Sequence, residues 1–113
     1  MSRLTRLAQR TVLAVGPLLL TMLAPQLVRA ATVEVEIADY RFVPAEVRVK
    51  VGDRVRWINR EKRTSHSVLF VASGQESERL FPEEHWEKVF DRSGSHVYRC
   101  GPHPEMQGIV HVE

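Results

Sequence analysis

From residue 32 to the end of the chain, apolar side chains fall at every second position in run after run, and no stretch carries the three-to-four spacing of an amphipathic helix. Val33, Val35 and Ile37 alternate with Thr32, Glu34 and Glu36. Val47, Val49 and Val51 alternate with Arg48 and Lys50, and Val55 and Trp57 resume against Arg54 and Arg56. Successive side chains of a strand point to opposite faces, so each run buries one face and wets the other. His66, Val68 and Phe70 share one parity against Leu69 and Val71. Trp86, Lys88 and Phe90 form the least regular run, with Val89 opposed, and 95–100 and 108–112 complete the set. Gly52-Asp53 and Asp91-Arg92-Ser93-Gly94 supply turns. Tyr40 to Ala45 carries aromatics and then Pro44, which predicts an irregular edge or bulge. Residues 72–84 lose the pattern and read as a long loop with room for a helical turn. About seven short strands without an amphipathic helix predict an all-β sandwich or barrel.

The first thirty residues follow a different logic. Arg3, Arg6 and Arg10 precede an apolar run that begins at Thr11, contains Gly16 and Pro17, and is short for a membrane span. It leads to Val28-Arg29-Ala30, a small-residue cleavage pattern, so residues 1–30 are expected to be a signal peptide with the mature start near Ala31. An uncleaved anchor is the alternative. No cysteine stands at the cleavage site to carry a lipid, and no adjacent arginine pair precedes the run. Cleavage removes four of the sixteen basic residues and none of the fourteen acids, leaving twelve against fourteen. The basic character of the whole chain is therefore no argument for nucleic acid.

A mature chain of about 83 residues makes one domain and buries only about 60% of its unfolded surface, so a bound metal would help it. Disulfides cannot, because Cys100 is the only cysteine. In an exported protein, a lone cysteine is a ligand, a nucleophile or a buried bystander. Its neighbours favour the first. Cys100-Gly101-Pro102-His103-Pro104-Glu105-Met106 sets a thiol, an imidazole and a thioether three residues apart, in a loop stiffened by two prolines. Thiolate and thioether are soft ligands and imidazole is borderline, a set that suits copper cycling between Cu(I) and Cu(II). A trigonal site needs a second histidine, and the best candidate is His66. His85, His96 and His111 read as packing or surface residues, and Met106 is the only methionine of the mature chain.

Together these residues resemble the cupredoxins, the type 1 blue copper proteins, and within them the amicyanins most. The resemblance runs from about residue 32 to the end. It rests on Phe42-x-Pro44, Val47-x-Val49, Gly52-Asp53, Trp57-Ile58-Asn59-Arg60-Glu61, His66, Phe90 before Gly94, Tyr98-x-Cys100, the short Cys-x-x-His-x-x-Met loop and Gly108. Plastocyanins and pseudoazurins are similar more generally, with longer spacings in that loop. The resemblance implies a cupredoxin-like Greek-key β-sandwich over residues 31–113 and one type 1 copper held by His66, Cys100, His103 and Met106. It also implies a monomer whose partners are redox proteins, such as a c-type cytochrome or a periplasmic dehydrogenase, docking near His103. No nucleic acid is expected as a partner, nor a membrane after cleavage. Four positions depart from the amicyanin pattern: Ser65 replaces a proline, Ser67 an asparagine that ties the two ligand loops, Arg99 stands beside the cysteine, and Glu105 takes the place of a large apolar residue.

The expected function is periplasmic electron transfer rather than catalysis. A periplasmic copper carrier could use the same ligands. A copper enzyme such as a nitrite reductase would need a second site, and a thiol oxidoreductase would need a resolving cysteine.

Overall fold

The computed structural model describes residues 14–24 and 29–113. Most of the expected signal peptide, including Val28 of its cleavage pattern, lies outside the described residues.

Among the described residues, eight strands form two four-stranded sheets. β1 (Thr32–Ala38), β2 (Arg41–Val43), β4 (Arg54–Asn59) and β6 (His85–Val89) make one sheet in the order β2-β1-β4-β6. β3 (Glu46–Val49), β5 (Leu69–Phe70), β7 (Gly94–Arg99) and β8 (Gln107–Val112) make the other, in the order β3-β8-β7-β5. The alternation predicted from the sequence sets which face is buried. Val35 and Ile37 of β1, Val47 and Val49 of β3, and Val55 and Trp57 of β4 all enter the core, while the polar residues between them remain at or near the surface. Trp57 is its centre, with ring centroids 5.3 Å from Tyr98, 5.5 Å from Trp86 and 6.0 Å from Phe70. Each large apolar side chain fully buried in this way contributes about 1.5–3 kcal/mol.

Two stretches differ from their sequence reading. Residues 40–45 are not merely irregular: Arg41–Val43 is a true edge strand pairing antiparallel with β1, and Pro44-Ala45 then carries the chain across to the second sheet. Proline is tolerated there because it follows the last ladder position of an edge strand. Residues 71–84 are more than a loop with one helical turn, although that turn is present, closed by the Gly74 amide on the Phe70 carbonyl (2.9 Å). They fold back on the preceding segment through the isolated bridges His66 to Leu80 and Leu69 to Glu76.

The β7-β8 register, Tyr98 opposite Gly108 and Arg99 opposite Gln107, brings the two ends of the cysteine loop together. Glycine is required at 108, since any β-carbon there would collide with the Tyr98 ring. Tyr98 is fully buried, and burial pushes its phenol up to about 12, so it stays neutral.

Candidate metal centre

Cys100 follows the last residue of β7, and the backbone turns at once. The Cys100 amide donates to the Met106 carbonyl (2.9 Å) and the Met106 amide to the His103 carbonyl (3.0 Å), closing a tight loop. Arg99, one of the departures from the amicyanin pattern, reinforces it. Its guanidinium donates to the carbonyls of Cys100 (2.9 Å) and Gly101 (3.1 Å). Met106 is buried beneath the loop at 2% exposure.

His66 comes to the same end of the sandwich from the β4-β5 connection. Its amide donates to the Leu80 carbonyl (3.0 Å) and its carbonyl accepts from the Leu80 amide (2.7 Å), so the segment is fixed before β5 begins. Asn59, the last residue of β4, anchors both sides of this pairing. Its Nδ2 donates to the carbonyls of Thr64 (2.8 Å) and Leu80 (3.0 Å), and its Oδ1 accepts from the Glu61 amide (2.9 Å).

The result is a compact donor set. Cys100 Sγ lies 3.6 Å from Nδ1 of His66 and 3.6 Å from Nδ1 of His103, and the two Nδ1 atoms are 3.2 Å apart. A point equidistant from these three corners lies about 2.0 Å from each, the length of a bond between a transition metal and an imidazole nitrogen. With the ring protons on Nε2, each Nδ1 carries a lone pair, and three electron-rich atoms at this spacing repel unless a cation lies among them. Burial, and then the neighbouring His103, hold the His66 imidazole below its ordinary range, which keeps it neutral and its lone pair free. The soft sulfur and two imidazoles fit copper.

Around the donors sits a supporting layer that sequence reasoning identified only in part. The Ser67 amide points at Cys100 Sγ (3.4 Å), and its hydroxyl accepts from the Gly101 amide (3.0 Å) while donating to Glu76 (2.8 Å). The serine in place of the expected asparagine thus still links the two ligand-bearing segments. Its parity predicts an outward side chain, yet it is 1% exposed, because the strand proper starts only at Leu69. A β-carbon at Gly101 would run into the Glu76 carboxylate and the Ser67 hydroxyl, so a larger residue there would displace this tie.

Tyr40 was missed altogether. Held at a positive φ of 55°, it sets its ring edge-on to both His66 and His103, at 5.5 and 5.2 Å. Its amide donates to Glu61 Oε1 (2.7 Å), an oxygen that also lies 3.6 Å from His66 Nε2. No spacing rule would have linked residue 40 to residue 103. Glu105 is exposed beside His103. The remaining histidines lie elsewhere: His85 is exposed on β6, His96 packs on Phe90, and His111 faces Ser95 and Glu46.

Comparison with known proteins agrees with this geometry. Residues 29–113 match the family model described as copper binding proteins, plastocyanin/azurin family. The chain is 39% identical over 84 residues to amicyanin from Paracoccus denitrificans, an alignment covering 70% of this chain and 63% of that protein. It is 37% identical over 106 residues to amicyanin-alpha from Methylorubrum extorquens, covering 89% of this chain and 85% of the relative. Among solved structures, a reduced Cu(I) amicyanin variant superposes with a TM-score of 0.70 at 38% identity, covering 73% of this chain and 82% of the other. A sandwich whose one end gathers two imidazoles and a thiol, in a sequence matched over all its strands, makes this chain a member of the plastocyanin/azurin family of copper-binding proteins.

Proposed function

We propose that His66, Cys100, His103 and Met106 hold one copper ion and that the protein is an exported blue copper electron carrier. The observation that carries this reading is the convergence of two imidazole nitrogens and a thiol sulfur within 3.6 Å of one another at one end of the fold. Bound copper supplies one-electron exchange between Cu(II) and Cu(I). The chain's contribution is to hold the donors still. Cys100 offers the thiolate, His66 a buried imidazole, Met106 a weak axial thioether, and His103 the half-buried ring through which a partner is reached. Asn59 and Ser67 keep these groups in place, and a frame that moves little suits two oxidation states equally. The same preformed ties favour retention of the metal over its hand-off, which separates this reading from a copper carrier.

Residues 1–30 serve in this reading as the export signal, residues 31–113 as the working domain, and the periplasm as its compartment. Redox proteins such as a c-type cytochrome or a periplasmic dehydrogenase dock at the Tyr40 and His103 edge. Adding Cu(II) to the metal-free protein is expected to give intense absorption at about 600 nm that Cys100→Ser abolishes. A colourless product from the unaltered protein would overturn the assignment.

A further inference from the structure

At the end of the sandwich where β1 and β4 begin, a second buried polar group has a geometry the copper site does not explain. Asp53 is 8% exposed and follows Gly52 in the turn between β3 and β4. Its Oδ2 accepts from the Lys50 amide (2.8 Å), closing that turn, while its Oδ1 reaches across the sheet to the backbone nitrogen of Ala31 (2.9 Å). The Ala31 carbonyl in turn accepts from the Arg54 amide (2.9 Å), so residue 31 is held from both sides just before β1 starts. Residues 29–31 are exposed, and they line a groove of about 600 Å³ together with Val33, Val51 and Asp53.

We infer that Asp53 is the seat of the processed amino terminus: cleavage between Ala30 and Ala31 turns the nitrogen already bound to its carboxylate into an ammonium group. The inference rests on reading residues 1–30 as a removable leader. Hydrolysis of the Ala30-Ala31 peptide bond adds one water, leaves a carboxylate on the leader, and gives the domain a free amine that is protonated near neutral pH. One ammonium proton then keeps the bond to Oδ1, and the other two face the open groove and its water. A neutral amide contact at 2.9 Å thereby becomes a charge-assisted one, about twice as strong. The register is specific. Cleavage one residue later would remove the donor nitrogen, and cleavage earlier would leave an uncharged amide there.

Asp53 is suited to the role, since the Lys50 and Ala31 amides already hold its carboxyl below its ordinary range. The charged groups lining the same groove are Lys50, Arg48 and Glu113, with Arg29 departing on cleavage. Ammonium at Asp53 has a raised pKa. Its stabilisation is therefore complete below the ordinary value of about 8 and disappears as pH rises through the raised one.

The test uses the full chain exported with its own leader. The mass of the mature protein is expected to correspond to an Ala31 start, and any other start overturns the cleavage register on its own. In protein starting at Ala31, the α-amine pKa measured by NMR is expected about one unit above its ordinary value, a tenfold shift, and near the ordinary value in Asp53→Asn. An ordinary pKa in the unaltered protein overturns the ammonium seat while leaving the leader reading intact. Should Asp53→Asn not fold, acetylating the amine of the unaltered protein decides the matter. Loss of the alkaline decline in melting temperature supports the pairing, and an unchanged profile overturns it.

Discussion

Ser67 shows how much one small side chain carries. Its hydroxyl joins Gly101, next to the cysteine, to Glu76 on the facing loop, and its amide points at the sulfur itself. Ser67→Ala strips the Gly101 amide of its acceptor in a half-buried place, which costs about 1 kcal/mol. Urea unfolding of the metal-free protein is expected to show that loss. The reduction potential of the copper form is expected to move as well, because a neighbour of the ligating sulfur has lost its tether. Sequence alone shows a serine where the amicyanin pattern has an asparagine. It could not show that Glu76 approaches closely enough to complete the tie, because nothing in the spacing of residues 67, 76 and 101 encodes their meeting. Tyr40 was hidden for a related reason: its ring reaches the histidines through a backbone at positive φ, which few side chains other than glycine adopt.

At the scale of elements, the end of β4 does most to place the site. Asn59 satisfies three backbone groups at once, on Thr64, Leu80 and Glu61, and so sets the course of the chain toward His66. Asn59→Ala leaves these buried or half-buried groups unpaired and is expected to destabilise the fold by about 3 kcal/mol, read by denaturant unfolding. It should also weaken copper binding, since His66 would lose its fixed approach. The strands themselves were legible because burial on one face enforces period two. Asn59's role was not, because its partners are main-chain atoms that any sequence provides. Asp53 at the opposite end of β4 gives the element a pH signature. Its depressed pKa adds stability that is present above the ordinary value of 3.8 and lost as pH falls through the lowered one. Acid titration of the melting temperature should show that limb, and Asp53→Asn should lack it.

For the whole molecule, the two sheets close a small core around Trp57 and leave the donors at one end. A domain this small gains visibly from its metal: copper held at a hundred times its dissociation constant adds about 2.7 kcal/mol. Differential scanning calorimetry should show a corresponding rise in melting temperature over the metal-free protein, smaller or absent in Cys100→Ser. The sandwich class and the ligand candidates could be read from alternation and from the cysteine loop. Which edges pair could not, since β1 lies parallel to β4 and β3 parallel to β8 through contacts between residues far apart in sequence. His66 and Cys100 are sealed at 0% exposure, whereas Tyr40 and the half-buried His103 meet water. Among the described residues, the candidate ligand that reaches water is His103, so two kinds of traffic share its edge. A partner seated there to exchange an electron also blocks the route by which an ion could leave, so extraction of copper by a chelator should slow as docking partner is added.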